Sequence, residues 1–437
     1  MEVKSILAII CAAIALVGGI ETVYQIYQLT VIDATIRGLK HPKLWGLLAS
    51  NGNNSSGLLL YLIGRRNYPI NSIDSNQKTK MIQRKRENYA KIGVFAVAHG
   101  VYWEQFAGLY KNLMKYHHDF IDLVKENHVE VVDFGMVDSS EKAYAAASEM
   151  MGANLDLIMC NMSTYATSSV FAPIIRELNV PVILIALQPL ERLDYSKAST
   201  FMQLENDSIC SVPEFTGVAL RMGKKVRDVI IGTLYQDENA KKEIAAWCDI
   251  AKVLHTLKGA RIGLMGHVLE AMYDMHADPT ALSATFGIHI PLLEIDDVIK
   301  EYQTVTEEEI HDKIKVIEEE FDMPEPKSDP VTSKLTEEDK YQAAKSAVAL
   351  DKFVEKYHLT GLAYYYEGNE GSLHRTLATT FIVGNSILNA QGIPMCGEFD
   401  IKTCTAMLIM DRLGIGGSFA EFHPFDFKED FILVGHD

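Results

Sequence analysis

From Lys91 onward, short apolar runs alternate with amphipathic stretches. Residues 92–98, 129–136, 155–161 and 180–188 are rich in Ile, Val, Leu and Met, a pattern that predicts strands. Between them, residues 103–127, 140–151 and 168–178 repeat apolar positions at helical spacing. Strands that alternate with helices predict βαβ units and a parallel sheet. The theme then recurs. Strands are expected over 226–232, 260–267, 289–295 and 361–366, and helices over 239–257, 306–321, 336–358, 372–390 and 401–413. Residues 322–330, with three prolines, predict an exposed loop. After Gly414 the period falls to two, with Phe419, Glu421, His423 and Phe425 on one side, and a last strand is expected over 430–434. The expected fold is α/β: two doubly wound parallel-sheet domains, then the start of an antiparallel β-barrel domain, all preceded by a hydrophobic segment.

The pattern before Lys91 is different. Residues 5–20 carry no charge and are rich in Ile, Leu and Ala, and residues 22–32 continue with the single charge of Glu21 behind them. A retained membrane segment over 5–32 competes with a cleaved signal peptide and with a buried segment. A second uncharged run spans 44–64, but Ser50 to Ser56 would place seven polar or helix-breaking residues at its middle. Its flanks resemble the second helix of a small two-helix membrane module found at the start of some phospholipase D-type proteins. Residues 67–90 have the composition of a basic linker suited to a cytoplasmic face. The expected parts are therefore 1–66, a membrane-type segment; 67–90, the linker; 91–259 and 260–395, two α/β domains; and 396–437, a catalytic segment with the incomplete β domain.

Charge separates the same parts. Residues 1–90 hold eleven Lys and Arg against five Asp and Glu, although the 437-residue chain carries a net −17. That balance argues against a nucleic-acid partner. The six cysteines are scattered, without a C-x-x-C pair, and read as reduced thiols of a cytoplasmic body. No G-x-G-x-x-G follows the first strand, and neither a Walker lysine loop nor a G-x-S-x-G elbow is present. Metal or acid/base chemistry remains. Glu398 lies in Cys396-Gly397-Glu398-Phe399-Asp400, Glu421 follows a Gly-rich stretch, and His436 follows an apolar strand. Two carboxylates and an imidazole suit Mn²⁺, Mg²⁺ or Co²⁺, although each residue alone also has a surface explanation. His99, at the end of the first strand, sits where such sheets bind ligands, or serves the structure. Glu367 follows another strand and either approaches a ligand or lies in a solvated turn. His374 is expected to face solvent.

The segment Gly397-Glu398-Phe399-Asp400-Ile401-Lys402-Thr403 resembles the G-E-x-D-x-K-T segment of the L-arabinose/L-fucose isomerase family. Phe419-Ala420-Glu421 and Leu433-Val434-Gly435-His436 resemble that family's later glutamate and histidine segments, in the same order, and the likeness extends from about Lys91 to the end. Shorter likenesses fall at Asn161 to Tyr165, at Asn206 to Ser208 with Glu214-Phe215, and at Met275 to Asp278. The resemblance implies an aldose–ketose isomerase that uses a divalent metal, usually manganese, on a neutral sugar such as L-arabinose or L-fucose, and that forms a homo-oligomer. It implies Glu398 and Glu421 as catalytic residues, the same two with His436 as metal ligands, and His99 and Glu214 as substrate contacts, beside which Glu367 stands as a candidate from its place after a strand. Two departures stand out. Cys210 occupies a position where arabinose isomerases tend to have histidine, and the family continues beyond the His436 segment with more barrel and a further histidine ligand. Either the sequence is a fragment or that ligand is lost, in which case a catalytically silent, membrane-tethered sugar-binding protein is the alternative.

Overall fold

The computed structural model describes residues 27, 30–31, 34, 41, 43–44, 82–85, 88–268, 272–322 and 334–436. The chain divides into two compact units, Met1–Lys80 and Met81–Asp437. In the first, the described residues include Thr30 and Ala34, both buried in helical backbone. The apolar run over 44–64 and nearly all of 5–32 lie outside the described residues; among the described residues no helix is long and apolar enough to cross a membrane.

The second unit opens with β1 (Lys91–Val97), α1 (Tyr102–Gln105), α2 (Leu109–Lys125), β2 (Glu130–Val137), α3 (Ser140–Gly152), β3 (Leu157–Met162), α4 (Ala172–Glu177) and β4 (Val182–Gln188). It continues with α5 (Thr200–Glu205), α6 (Val212–Arg221), β5 (Val226–Thr233) and α7 (Glu238–Gly259). The five strands are parallel in the order β2-β1-β3-β4-β5. Alternation along each strand explains the unbroken apolar runs. Phe95, Val97, Ile158 and Leu184 join one core with Phe171 and Phe215. Ile92, Val94, Leu157 and Ile183 join another with Phe120, Val124 and Ile244. Helices thus cover both faces of the sheet.

A second parallel sheet follows, built from β6 (Ile262–Met265), α8 (Pro279–Phe286), β7 (Leu292–Leu293), α9 (Ile295–Gln303), α10 (Glu307–Glu320), α11 (Glu337–Lys356) and β8 (Gly361–Tyr364). It is completed by α12 (Leu373–Ala390), β9 (Met395–Cys396) and α13 (Ile401–Arg412), in the order β7-β6-β8-β9. Leu362 and Tyr364 of β8 enter a core with Phe353 and Phe381, and Ala363 between them enters another with Ile401 and Leu408. Finally β10 (Glu421–Asp426) and β11 (Phe431–Gly435) form an antiparallel hairpin, with Phe422, Phe425, Phe431 and Leu433 exposed.

The helix starts follow from local chemistry. Thr306 with Glu309, and Thr336 with Asp339, form reciprocal capping boxes at α10 and α11. Asp237 caps α7 through the Asn239 and Ala240 N–H groups. Three expectations change. The helix expected over 103–127 is broken at Gly108, whose left-handed backbone (φ +92°) admits few other residues. The strand expected over 289–295 shrinks to Leu292–Leu293, because Asp296 and Asp297 suit the first turn of α9, which buries Val298 and Tyr302 one turn apart. The end of the basic linker is bound to the second sheet's helices: Arg84 pairs with Asp411 at 3.0 and 2.5 Å, the Lys85 N–H donates to Gln391 O, and Asn88 donates to Arg412 O.

Candidate metal centre

Glu398 lies in the turn from β9 into α13. Glu398 and Phe399 both adopt left-handed backbone (φ +57° and +63°), a conformation that costs a non-glycine residue about 1–2 kcal/mol. The surroundings enforce it. Phe399 N–H donates to Tyr364 O at 3.0 Å and Asp400 N–H to Gly397 O at 3.1 Å. The Asp400 carboxylate accepts from the Lys402 and Thr403 N–H groups, capping α13, and from Thr403 Oγ1 at 2.5 Å. Lys402 Nζ donates to Asp274 O, tying the helix start to the segment before α8. Gly397 is tightly packed: a Cβ there would lie 3.1 Å from the Phe419 ring. That ring in turn packs against His436, with centroids 4.9 Å apart, while Tyr366 meets His436 edge-on at 5.8 Å.

The hairpin supplies the other two groups. Glu421 opens β10 and pairs in register with Gly435 of β11, the residue before His436. One ligand atom from each of Glu398, Glu421 and His436 falls within 4.8 Å of the others, and His436 Nε2 stands 3.9 Å from Glu398 Oε1. Glu398 is buried, whereas Glu421 and His436 are exposed. Burial pushes the Glu398 carboxyl above its ordinary pKa; Glu421 adds to the rise, His436 opposes it, and Asp400 and Asp274 add smaller repulsions. Burial, then Glu398, Glu367 and Glu421, likewise raise the Tyr366 hydroxyl. Among the described residues no Lys or Arg pairs with Glu398 or Glu421. A buried carboxylate beside another, with an imidazole and no fixed cation, fits a divalent metal of the oxygen- and nitrogen-preferring kind.

The other expected residues lie elsewhere or at the margin. His99 follows β1 at the crevice where the first sheet reverses strand order, with Tyr102 and Tyr165 edge-on at 5.5 and 6.3 Å. Glu214 accepts from the Ser168 N–H at 2.6 Å and so holds a turn of the same sheet. Cys210 is exposed, its thiol pushed up by burial, Asp207 and Glu214. Glu367 is exposed near Tyr365 and lies outside the trio, close enough to Tyr366 to help raise its hydroxyl. His374 does not simply face solvent: its Nε2 is buried and without a hydrogen-bond partner among the described residues. Sequence reading missed Tyr366 and Asp274, because only the tertiary fold carries them to Glu398.

Comparison with known proteins agrees with part of this picture. Residues 269–416 match the family model of the L-arabinose isomerase central domain, a span that includes Glu398 and ends before Glu421 and His436. An L-arabinose isomerase of Pediococcus pentosaceus is 23% identical over 236 residues, 54% of this chain and 47% of the relative. L-arabinose isomerase 1 of Bacillus licheniformis is 22% identical over 282 residues, 63% of this chain and 54% of the relative. The L-arabinose isomerase of Bacillus subtilis is 24% identical, covering 53% of this chain and 45% of the relative. The chain spans about half the length of the curated relatives it matches. A conserved domain protein of Vibrio cholerae covers 78% of this chain and 80% of its own at 12% identity, but a TM-score of 0.19 carries no weight. The sequence likeness of this chain is thus to L-arabinose isomerases, and over residues 269–416 to their central domain.

Proposed function

We propose that the chain is a metal-dependent aldose–ketose isomerase whose centre is Glu398, Glu421 and His436, acting on L-arabinose or a closely related sugar. One observation carries this reading. The turn after β9 and the hairpin that follows α13 deliver two carboxylates and an imidazole to within 4.8 Å, and Glu398 lies in the segment that matches the isomerase central domain. Glu398, Glu421 and His436 would hold a divalent cation, manganese by preference, and such an ion when bound polarises the carbonyl and hydroxyl oxygens of an open-chain sugar. The residues do the rest. Isomerisation moves one hydrogen between C2 and C1 and one proton between their oxygens, with no net oxidation. Two carboxylates in unlike surroundings, buried Glu398 and exposed Glu421, suit the acid and base roles this requires. Phe419 and Tyr366 set aromatic rings against His436.

The test is Mn²⁺ titration by calorimetry together with turnover of L-arabinose and L-fucose. Glu398→Gln and Glu421→Gln should each remove measurable turnover and weaken Mn²⁺ binding. Retained turnover in either variant overturns the role assignment. Sugar binding without turnover in the unaltered chain would make it a silent sugar-binding protein of the same fold.

A further inference from the structure

At the amino edge of the first sheet, opposite the edge that carries His99, lies a pocket of about 230 Å³. It is set among the ends of α4 and α6 and the starts of β4 and β5. Its apolar lining includes Ile175, Leu178, Val182 and Ala219, all members of the core between the sheet and those helices. Its charged lining is Lys224, Lys225 and Arg227, with no Asp or Glu. In a chain of net −17, three cations gathered without an acid form a local reversal of charge.

The acids next to the lining in sequence are engaged elsewhere. Glu177 pairs with Arg176 at 2.6 Å. Asp228 accepts from the Trp247 indole N–H at 2.7 Å, and Trp247 packs into the core on the opposite, α7 face of the sheet. A bulge in β5 makes this separation. Val226 pairs with Val182 and Val229 with Leu184, so Arg227 and Asp228 together oppose the single residue Ile183. The extra residue keeps Val226 and Val229 against the α4 and α6 core, turns Asp228 to Trp247 and leaves Arg227 on the pocket. Lys224 has a structural role of its own: its Nζ donates to Leu178 O at 3.1 Å and to Asn179 Oδ1 at 3.3 Å, after the last turn of α4. Those partners are neutral, and an ammonium has a third N–H to give. Lys225 and Arg227 have no carboxylate partner among the described residues.

We propose that this pocket is a binding site for a small phosphate monoester with an apolar body. Arg227 and Lys225 take the phosphate, a fork and a point charge, with the third Lys224 N–H beside them. The aliphatic lining takes the body. A dianion matches this charge better than a carboxylate, which would leave two of the three cations unanswered. The site stands apart from Glu398, Glu421 and His436 and does not rest on the isomerase reading.

The probe is n-butyl phosphate, titrated into the full chain by calorimetry at low salt. It should bind about tenfold tighter than inorganic phosphate, which lacks the body, and about tenfold tighter than pentanoate, which lacks the second charge. Arg227→Gln and Lys225→Gln, both at exposed positions, should each weaken the ester about tenfold, whereas Lys111→Gln, at an exposed position on α2, should change it by less than about twofold. Absence of binding overturns the proposal. Equal losses in all three variants would show attraction to general surface charge and overturn it as well. Pentanoate as tight as the ester overturns the phosphate assignment, and inorganic phosphate as tight as the ester overturns the apolar body. None of these readouts uses Mn²⁺ or turnover, so failure of the isomerase reading leaves them standing.

Discussion

The two parallel sheets share a plan, β2-β1-β3-β4 in one and β7-β6-β8-β9 in the other, yet they present different chemistry at their carboxyl edges. The first crevice gathers an imidazole and phenol rings, His99, Tyr102 and Tyr165, with a free thiol nearby at Cys210. Beside the second sheet lie Glu398, Glu421 and His436, and Glu398 there is held in a strained turn. Fold alone therefore does not place the chemistry. A four-residue turn after a two-residue strand, and a hairpin outside either sheet, make the difference.

Glu398→Gln is the sharpest cut. It should lower Mn²⁺ affinity at least a hundredfold, read by calorimetry, because one of the charged donors is lost. The metal-free variant should also melt at a higher temperature, since a buried carboxylate beside another one destabilises the fold that its binding role requires. An unchanged Mn²⁺ affinity would move the metal site elsewhere. In the first crevice, His99→Ala should leave Mn²⁺ affinity within about twofold, as among the described residues no contact joins His99 to the trio. A tenfold loss would make the two edges one site.

Glycine gives a finer contrast, because both sheets use it where another backbone or ring approaches. A Cβ at Gly397 would meet Phe419 at 3.1 Å, and one at Gly93 would meet Leu155 at 2.6 Å and Phe134 at 3.1 Å. Gly93→Ala should cost about 1–3 kcal/mol by denaturant titration, and Gly397→Ala less, because the Phe419 ring need give only a few tenths of an ångström. Only Gly397→Ala should also weaken Mn²⁺ binding, because Phe419 packs on His436.

Much of this was legible in the sequence, and the reasons for the rest are physical. Strands buried on both faces, such as 92–98, announce themselves as unbroken apolar runs. Capping residues such as Thr306 and Thr336 mark helix starts. Glu398, Glu421 and His436 were nameable from the motif. Their proximity was not, because it depends on the register that sets Glu421 opposite Gly435. The bond from Asn385 to Tyr364 was invisible for the same reason: an amide on a helix face has no meaning until Tyr364 of β8 fixes it.

Acid should separate the sheets by a smaller effect. In the first, burial pushes Asp133 up, but the bonds from His117 and the Gly135 N–H outweigh it and hold the carboxyl below its usual pKa. His117 is fully buried; its Nε2 donates to Asp133 at 2.9 Å, and its Nδ1 accepts from Asn161 at 3.2 Å. A depressed carboxylate stabilises the fold above its unfolded pKa of about 4 and loses that contribution as pH falls through the folded value. Asp133→Asn should therefore flatten the acid limb of the stability curve below about pH 4, read by thermal melts, and leave Mn²⁺ binding at pH 7 unchanged. An intact acid limb would show that His117 and Asp133 do not hold their bond in solution.

Thiol labelling makes the smallest perturbation. Cys396 and Cys404 flank the Glu398 turn, and both are buried; burial pushes the Cys396 thiol far up and the Cys404 thiol to about 12. Cys210, beside the first crevice, is exposed, although burial, Asp207 and Glu214 raise its pKa too. Since the thiolate is the nucleophile, iodoacetamide at pH 8 should label Cys210 slowly and leave Cys396 and Cys404 untouched in the folded chain, as read by peptide mass mapping. All three should label in denaturant. Labelling of Cys396 under native conditions would mean that the turn carrying Glu398 opens on its own, and a turn that opens cannot keep a carboxylate poised in left-handed backbone beside Glu421 and His436. The contrast between an open first edge and a fixed second one would then fail at the residue on which it depends most.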